Sequence, residues 1–373
     1  MSIILFIGVC LLAYSNGAND NFKGVATLAG SGTTDYRKAL TWATIMTFAG
    51  ALLSIFLAEG LLKAFSGKGL VPTELTAQPH FLIAVGLGAA ATVMIATVTG
   101  FPISTTHALI GALVGAGLAI HGGIHWDKLG KAFLMPLAVS PLLSCLLTAS
   151  LYPMFRFARR ALKVERRMCL CVKDARPRPV TFRPDGSTVF LASGQQLTLA
   201  QQSQCEQAYL GRILGFDSQK LLDKLHYLSS GMVCFARGLN DTPKIVALLI
   251  AGQGIGLPLP LAMLLVGIVM VLGGILQARK VAHTMSHRIT GMNHGQGFTA
   301  NLVTAVLVTL ASRIGVPVST THVSCGSLFG LGAVTRQART GVIGRIFLSW
   351  LITLPLGATL AALTVFAFRT FFS

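Results

Sequence analysis

Charge is scarce in this 373-residue chain, and acidic charge is scarcest: 11% of residues are charged, with 12 Asp and Glu against 30 Lys and Arg. Soluble domains carry roughly 25% charged residues, so a water-exposed globular fold is excluded. A Gly-Lys-Ser/Thr ending is missing after Gly30-Ser31-Gly32-Thr33-Thr34, which removes the P-loop and with it ATP-driven transport. Neither a basic leader nor a small-residue cleavage site accompanies residues 2–14, so that segment reads as a retained half-helix and not a signal peptide. Cys169, Cys171 and Cys205 lack a second close Cys or His pair, and they read as reduced thiols rather than a zinc site.

What is there is apolar. With 53% hydrophobic residues and a mean hydropathy of +0.69, the chain belongs in a bilayer. Windows approaching the roughly 20 apolar residues that cross a bilayer core occur at 40–62, 81–98, 129–153, 257–276 and 343–368.

The chain also repeats itself. Gly-Phe-Pro-Ile-Ser-Thr-Thr-His at Gly100 to His107 returns 215 positions later as Gly-Val-Pro-Val-Ser-Thr-Thr-His at Gly315 to His322. Gly111, Gly115 and Gly117 are matched at the same offset by Gly326, Gly330 and Gly332. A second doublet, Gly17-Ala18-Asn19-Asp20 with Lys23, recurs at an offset of 221 as Gly238-Leu239-Asn240-Asp241 with Lys244. Two motif types in the same order in each half mark a duplicated unit.

The net charge of +18 is concentrated: 13 of the 30 basic residues fall between Arg156 and Lys224, in one polar segment between the halves. A connecting loop rich in positive charge points to the cytoplasmic side and away from nucleic acid. Shorter loops agree, with Arg37 and Lys38, Arg279 and Lys280, and Arg336 and Arg339. Threading the chain through these sides puts five crossings before the central loop and five after it. An odd number per unit inverts the second unit. The expected fold is therefore an all-α polytopic membrane protein of two inverted-topology repeats with broken or re-entrant helices, about 10–12 membrane segments in all. Residues 1–155 form the first repeat and 225–373 the second. Residues 156–224 form a cytoplasmic basic loop with a small β-hairpin about Pro184-Asp185-Gly186-Ser187. The side assignments put Lys63 to His80 outside and its counterpart, Arg279 to Gly297, inside.

In Pro-x-Ser-Thr-Thr-His, proline breaks a helix and serine or threonine caps the start of the next. A helix N-terminus offers free backbone N–H groups and partial positive charge to an oxyanion. The hydroxyls of Ser104, Thr105, Thr106, Ser319, Thr320 and Thr321 add donors, so two such ends meeting near the midplane surround one tetrahedral anion. The same hydroxyls also suit plain capping or bonding back to the preceding turn. Asp20 and Asp241 lie in apolar segments, where ionised groups are expensive and usually functional. A carboxylate beside the amides of Asn19 and Asn240 and unwound carbonyls suits a cation or a transferable proton, although each aspartate is also spaced to pair with the lysine three residues on. His107 and His322 either shuttle protons or lock the helix start. His283, His287 and His294 read as surface residues of a basic loop.

The paired Gly-x-Asn-Asp and Pro-x-Ser-Thr-Thr-His motifs, together with the long central loop, resemble the inorganic phosphate transporter (PiT) family, of the phosphate/sulfate permease type. The resemblance implies a commonly dimeric symporter in the cell membrane carrying inorganic phosphate with Na+ or H+. It further implies cation sites, with Na+ at Asp20 and Asp241, using Asn19, Asp20, Asn240 and Asp241, and an anion site made by the Ser-Thr-Thr hydroxyls. One departure stands out: asparagine usually follows the family's aspartate by three residues, whereas this chain has Lys23 and Lys244. An ammonium there replaces a bound cation or attracts the anion, which points to protons, or fewer sodium ions, as the coupling species. Sulfate permeation and a passive oxyanion channel are the alternatives. An enzyme is disfavoured because no general acid and base pair accompanies Ser104 or His107.

Overall fold

The computed structural model describes residues 1–67, 69–120, 123–162, 165–166, 171–173, 196–198, 209–210, 212–213, 216–251 and 256–372. Ten principal helices alternate with shorter turns. The first half supplies α1 (Ser2–Asp20), α2 (Tyr36–Leu57), α3 (Pro79–Thr99), α4 (Thr105–Ala119) and α5 (Met135–Ala161). The second supplies α6 (Ser218–Ala251), α7 (Leu259–Gln277), α8 (His294–Arg313), α9 (Thr320–Thr335) and α10 (Thr340–Phe372). The five apolar windows fall on α2, α3, α5, α7 and α10.

Helix starts are written in local chemistry. Asp35 caps α2 by accepting from the Lys38 amide at 2.9 Å, and Asn293 with Gln296 forms a capping box on α8. Proline occupies the first turn of α3 and of α7. Six spans among the described residues are long and apolar enough to cross a bilayer: α1 extended to Gly30, α2, α3, α5 with the turns from Trp126, α7 and α10. The remaining four helices are too short or too polar for that test. Half-length α4 and α9 have 15 and 16 residues. Buried Arg237, Asp241 and Lys244 interrupt the apolar run of α6, and α8 buries Asn301 and Thr304.

One expectation changes. The first segment does not end as a half-helix near Tyr14 but runs through Asn16, Asn19 and Asp20 as a 19-residue helix. Its polar end stays helical inside the protein because all three side chains find partners on other elements.

Two compact units emerge, one of Met1–Phe157 with Leu222–Ser373, the other of Ala158–Leu221. Within the first, the halves interlock through small residues. A Cβ on Gly17 of α1 would collide with the Met270 carbonyl of α7, and one on Gly238 of α6 with the Thr47 carbonyl of α2. Each Asn-Asp helix thus packs on the second helix of the opposite half. The glycine-spaced helices do likewise: Gly111 and Gly115 of α4 meet the Leu354 and Ala358 carbonyls of α10, while Gly326 and Gly330 of α9 meet Pro141 and Cys145 of α5. Without a hydrophobic drive between helices in lipid, close backbone approach at small residues is what holds them together. An apolar core including Val9, Val85, Ile110, Met270 and Val365 fills the space around these contacts.

The second unit contains three short antiparallel pairs: Glu165–Arg166 with Tyr209–Leu210, Cys171–Lys173 with Gln196–Thr198, and Arg212–Ile213 with Phe216–Asp217. The hairpin turn at 184–187, with Cys169 and Cys205, lies outside the described residues.

Substituting Gly115→Val forces α4 away from α10 and is expected to destabilise the protein by about 2–3 kcal/mol. Gly341→Ala, with open space at its Cβ, is the control. Thermal unfolding of the detergent-solubilised protein reads the difference, and equal midpoints for the two variants contradict the interlocked packing.

Candidate functional site

Both Pro-x-Ser-Thr-Thr-His motifs are entered through a left-handed glycine, Gly100 at φ 82° and Gly315 at φ 74°. Unwound backbone follows as far as Ser104 and Ser319. Each serine caps its helix, accepting from the amide of His107 at 3.1 Å and of His322 at 3.2 Å. The unwound carbonyls expected beside Asn-Asp are therefore found in this motif instead, at Ile103 and Val318, while Asn240 and Asp241 stay inside continuous α6.

Asn19 and Asn240 bind those unwound strands in matching ways. Asn19 donates to Thr97 Oγ1 (3.0 Å) and the Phe101 carbonyl (3.1 Å) and accepts from the Ile103 amide (3.2 Å). Asn240 donates to the Val318 carbonyl (3.2 Å) and Thr320 Oγ1 (3.3 Å) and accepts from Ser312 Oγ (3.2 Å).

The lysines reach across. Lys23 Nζ lies within hydrogen-bonding reach of Asp20 Oδ1, of Asn19 Oδ1 at 2.8 Å, of the Ile103 carbonyl at 2.9 Å and of Thr321 Oγ1 of the other half at 2.6 Å. Lys244 Nζ donates to the Val318 carbonyl and to Thr106 Oγ1 of the first half, both at 2.8 Å, and lies 3.6 Å from Asp241 Oδ1. Thr321 in turn donates to the Ile103 carbonyl at 2.7 Å and Thr106 to the Val318 carbonyl at 3.4 Å. Asp–Lys pairing at i, i+3 is thus present in both copies. Each ammonium occupies a nest of oxygens, four around Lys23, of the kind a hard cation takes. Such oxygens suit sodium as they suit an ammonium, and here it is the lysine ammonium groups that stand beside Asp20 and Asp241.

Sequence reasoning missed two members. Arg237 is buried and donates to Asn16 Oδ1 at 2.6 Å and Asn21 Oδ1 at 3.2 Å, with Nε 3.8 Å from Asp241 Oδ2. Asn16 Nδ2 lies within hydrogen-bonding reach of Thr105 Oγ1 (2.9 Å), Asp241 Oδ2 (3.1 Å) and Asp20 Oδ2 (3.3 Å), joining the two aspartates. At the 221-residue offset Arg237 is the counterpart of Asn16, so aligning the halves at the first motif was the available signal. Three cationic side chains and two carboxylates are buried together, each at most 3% exposed, which leaves one cation in excess.

The six hydroxyls converge, and all of them are engaged within the protein: two as caps, Thr106 and Thr321 across the halves, and Thr105 and Thr320 with Asn16 and Asn240. His107 and His322 lie side by side with ring centroids 4.5 Å apart, and His322 stacks on Trp350 at 3.9 Å. His107 Nδ1 and His322 Nε2 are buried without a hydrogen-bond partner. His283 and His287 are exposed as expected, but His294 is a buried residue at the start of α8, 2.7 Å from Asp223. Its place in the first turn, beside a carboxylate and Thr33, accounts for the difference.

A profile of the phosphate transporter family matches residues 16–361. A Rhizobium meliloti protein named a low-affinity inorganic phosphate transporter is 28% identical, with 97% of this chain and 96% of the relative covered. A Pyrococcus horikoshii protein named a phosphate permease is 27% identical over 97% of this chain and 96% of its own length. A solved structure of a sodium-dependent phosphate transporter superposes with a TM-score of 0.75 at 23% identity, covering 99% of each chain, and shares the fold.

Replacing Arg237 by Leu removes its bonds to Asn16 and Asn21 and leaves those buried amide oxygens without their donor. The expected cost is about 2–3 kcal/mol, read as a lowered unfolding midpoint in detergent. An unchanged midpoint shows that Arg237 does not hold the cluster.

Proposed function

The chain belongs to the phosphate transporter family, and from that premise we propose that it moves inorganic phosphate across the cell membrane as a secondary active transporter coupled to protons. The observation that carries this reading is the placement of Lys23 and Lys244 in the oxygen nests beside Asp20 and Asp241. Fixed ammonium groups do there what a bound sodium ion would do, and Asp20 and Asp241 are left to exchange the coupling proton. The excess buried cation, counting Arg237, favours a monovalent oxyanion such as dihydrogen phosphate over divalent sulfate.

The anion is received by the N-termini of α4 and α9 together with the Ser-Thr-Thr hydroxyls. For that, Thr106 and Thr321 release the facing carbonyls and present their hydroxyls to the anion, while the two lysines stay beside the aspartates. These are the contacts that tie one half to the other, so substrate binding and the rocking of one repeat against the other draw on the same bonds. In this reading the central segment 156–224 faces the cytoplasm, and the homodimer implied by the family resemblance is the working assembly.

Uptake of labelled phosphate into liposomes containing the purified protein tests the proposal, with sodium and pH varied separately. Uptake is expected to run uphill under an imposed pH gradient and to be indifferent to sodium. Asp20→Asn should lower it about tenfold or more, the equivalent of about 1.4 kcal/mol on the barrier, and Lys23→Asn should introduce a sodium requirement. A steep sodium dependence of the unmodified protein overturns the proton reading. Equal competition by sulfate moves the substrate to sulfate, and failure to accumulate uphill makes the protein a channel.

A further inference from the structure

A cleft of about 880 Å³ opens where the C-terminal end of α3 meets the turns that follow α7. Arg279, Lys280, His283 and Arg288 line it, Val98 and Leu276 are its large apolar residues, and no carboxylate lines it among the described residues. The four basic side chains are exposed. Lys280 Nζ donates to the Val98 carbonyl at 2.8 Å and Thr284 Oγ1 to the Gly100 carbonyl at 2.9 Å, so the cleft rests on the glycine that opens the first Ser-Thr-Thr motif.

Its apolar wall is continuous with exposed apolar surface on two membrane-spanning helices. Val98 and Leu276 are 54% and 68% exposed, and exposed Ile95 on α3 with Leu272 and Ile275 on α7 extend the same surfaces away from the basic end. Basic pockets between membrane helices, at the level where apolar surface gives way to charge, match the headgroup and acyl chains of an anionic lipid. Inorganic phosphate shares the phosphoryl chemistry. However, a cavity this large falls in the range that encloses drug-sized ligands, and a small fully hydrated ion makes no use of an apolar wall.

We propose that this cleft binds the phosphodiester headgroup of an anionic phospholipid, held by Arg279, Lys280 and Arg288 with its acyl chains along α3 and α7. The bound lipid braces the chain at Gly100, one motif away from the buried site.

Native mass spectrometry of the purified full-length protein, with phosphatidylglycerol and phosphatidylcholine added in equal amounts, tests the site without relying on transport. The unmodified protein is expected to retain phosphatidylglycerol in preference. Arg288→Gln should weaken that retention about fivefold and Lys280→Gln with Arg288→Gln about 30-fold. Lys131→Gln, whose ammonium pairs with Asp127 on another surface, should leave it unchanged. Retention unaffected by the cleft variants overturns the proposal. Displacement of the lipid by inorganic phosphate alone, without added salt effect, overturns it in favour of a free oxyanion. Backbone hydrogen exchange over residues 98–104 should slow when phosphatidylglycerol is present, and an unchanged rate removes the bracing role.

Discussion

A lysine ammonium inside a bilayer must find acceptors close at hand, and Lys23 and Lys244 each find theirs partly in the opposite half of the chain. That demand explains much of the local structure. A carbonyl oxygen without a helical N–H partner is left where a helix is broken, and the chain unwinds between Gly100 and Ser104 and again between Gly315 and Ser319. Left-handed glycines turn it out of the preceding helix, and serine caps start the next one. Thr106 and Thr321, the second residues of the restarted helices, then lie within reach of the other half's lysine. Breaks that would otherwise cost several unsatisfied backbone groups become the receptors of two buried charges.

The same reciprocity governs packing. Each Asn-Asp helix lies on the second helix of the other half, and each glycine-spaced helix lies on the other half's last helix. Neither repeat can bury its polar motif alone. A closed, mutually bonded centre follows, in which the six hydroxyls are held by protein groups. In the proposed transport cycle, binding and conformational change compete for the same few hydrogen bonds, and a ligand shifts such an equilibrium only by its differential affinity for the two states.

Much of this was legible in the sequence, and for physical reasons. Apolar windows located α2, α3, α5, α7 and α10 because lipid-exposed helices have to be apolar along their length. The Pro-x-Ser-Thr-Thr pattern identified both helix starts because capping is local chemistry. Asp–Lys pairing followed from helical spacing. Partnerships across the two halves were not legible: nothing in the spacing of Lys23 announces Thr321, 298 residues away. The end of α1 was misjudged for the same reason, since a polar helix end is tolerated only when distant partners exist. Arg237 was missed because it breaks the duplication, standing where the first half has Asn16, and the motif was read from Gly238 onward. His294 looked like a surface residue because its neighbours in sequence are basic and polar, while its partners Thr33 and Asp223 come from elsewhere in the chain.

The central claim is that fixed lysine ammonium groups hold the cation places beside Asp20 and Asp241. Calorimetric titration of phosphate into the purified protein, with sodium replaced by choline at constant pH and ionic strength, tests it most directly. The account predicts the same dissociation constant in both media. A dissociation constant that tightens about tenfold or more with sodium, about 1.4 kcal/mol of coupling, would contradict it.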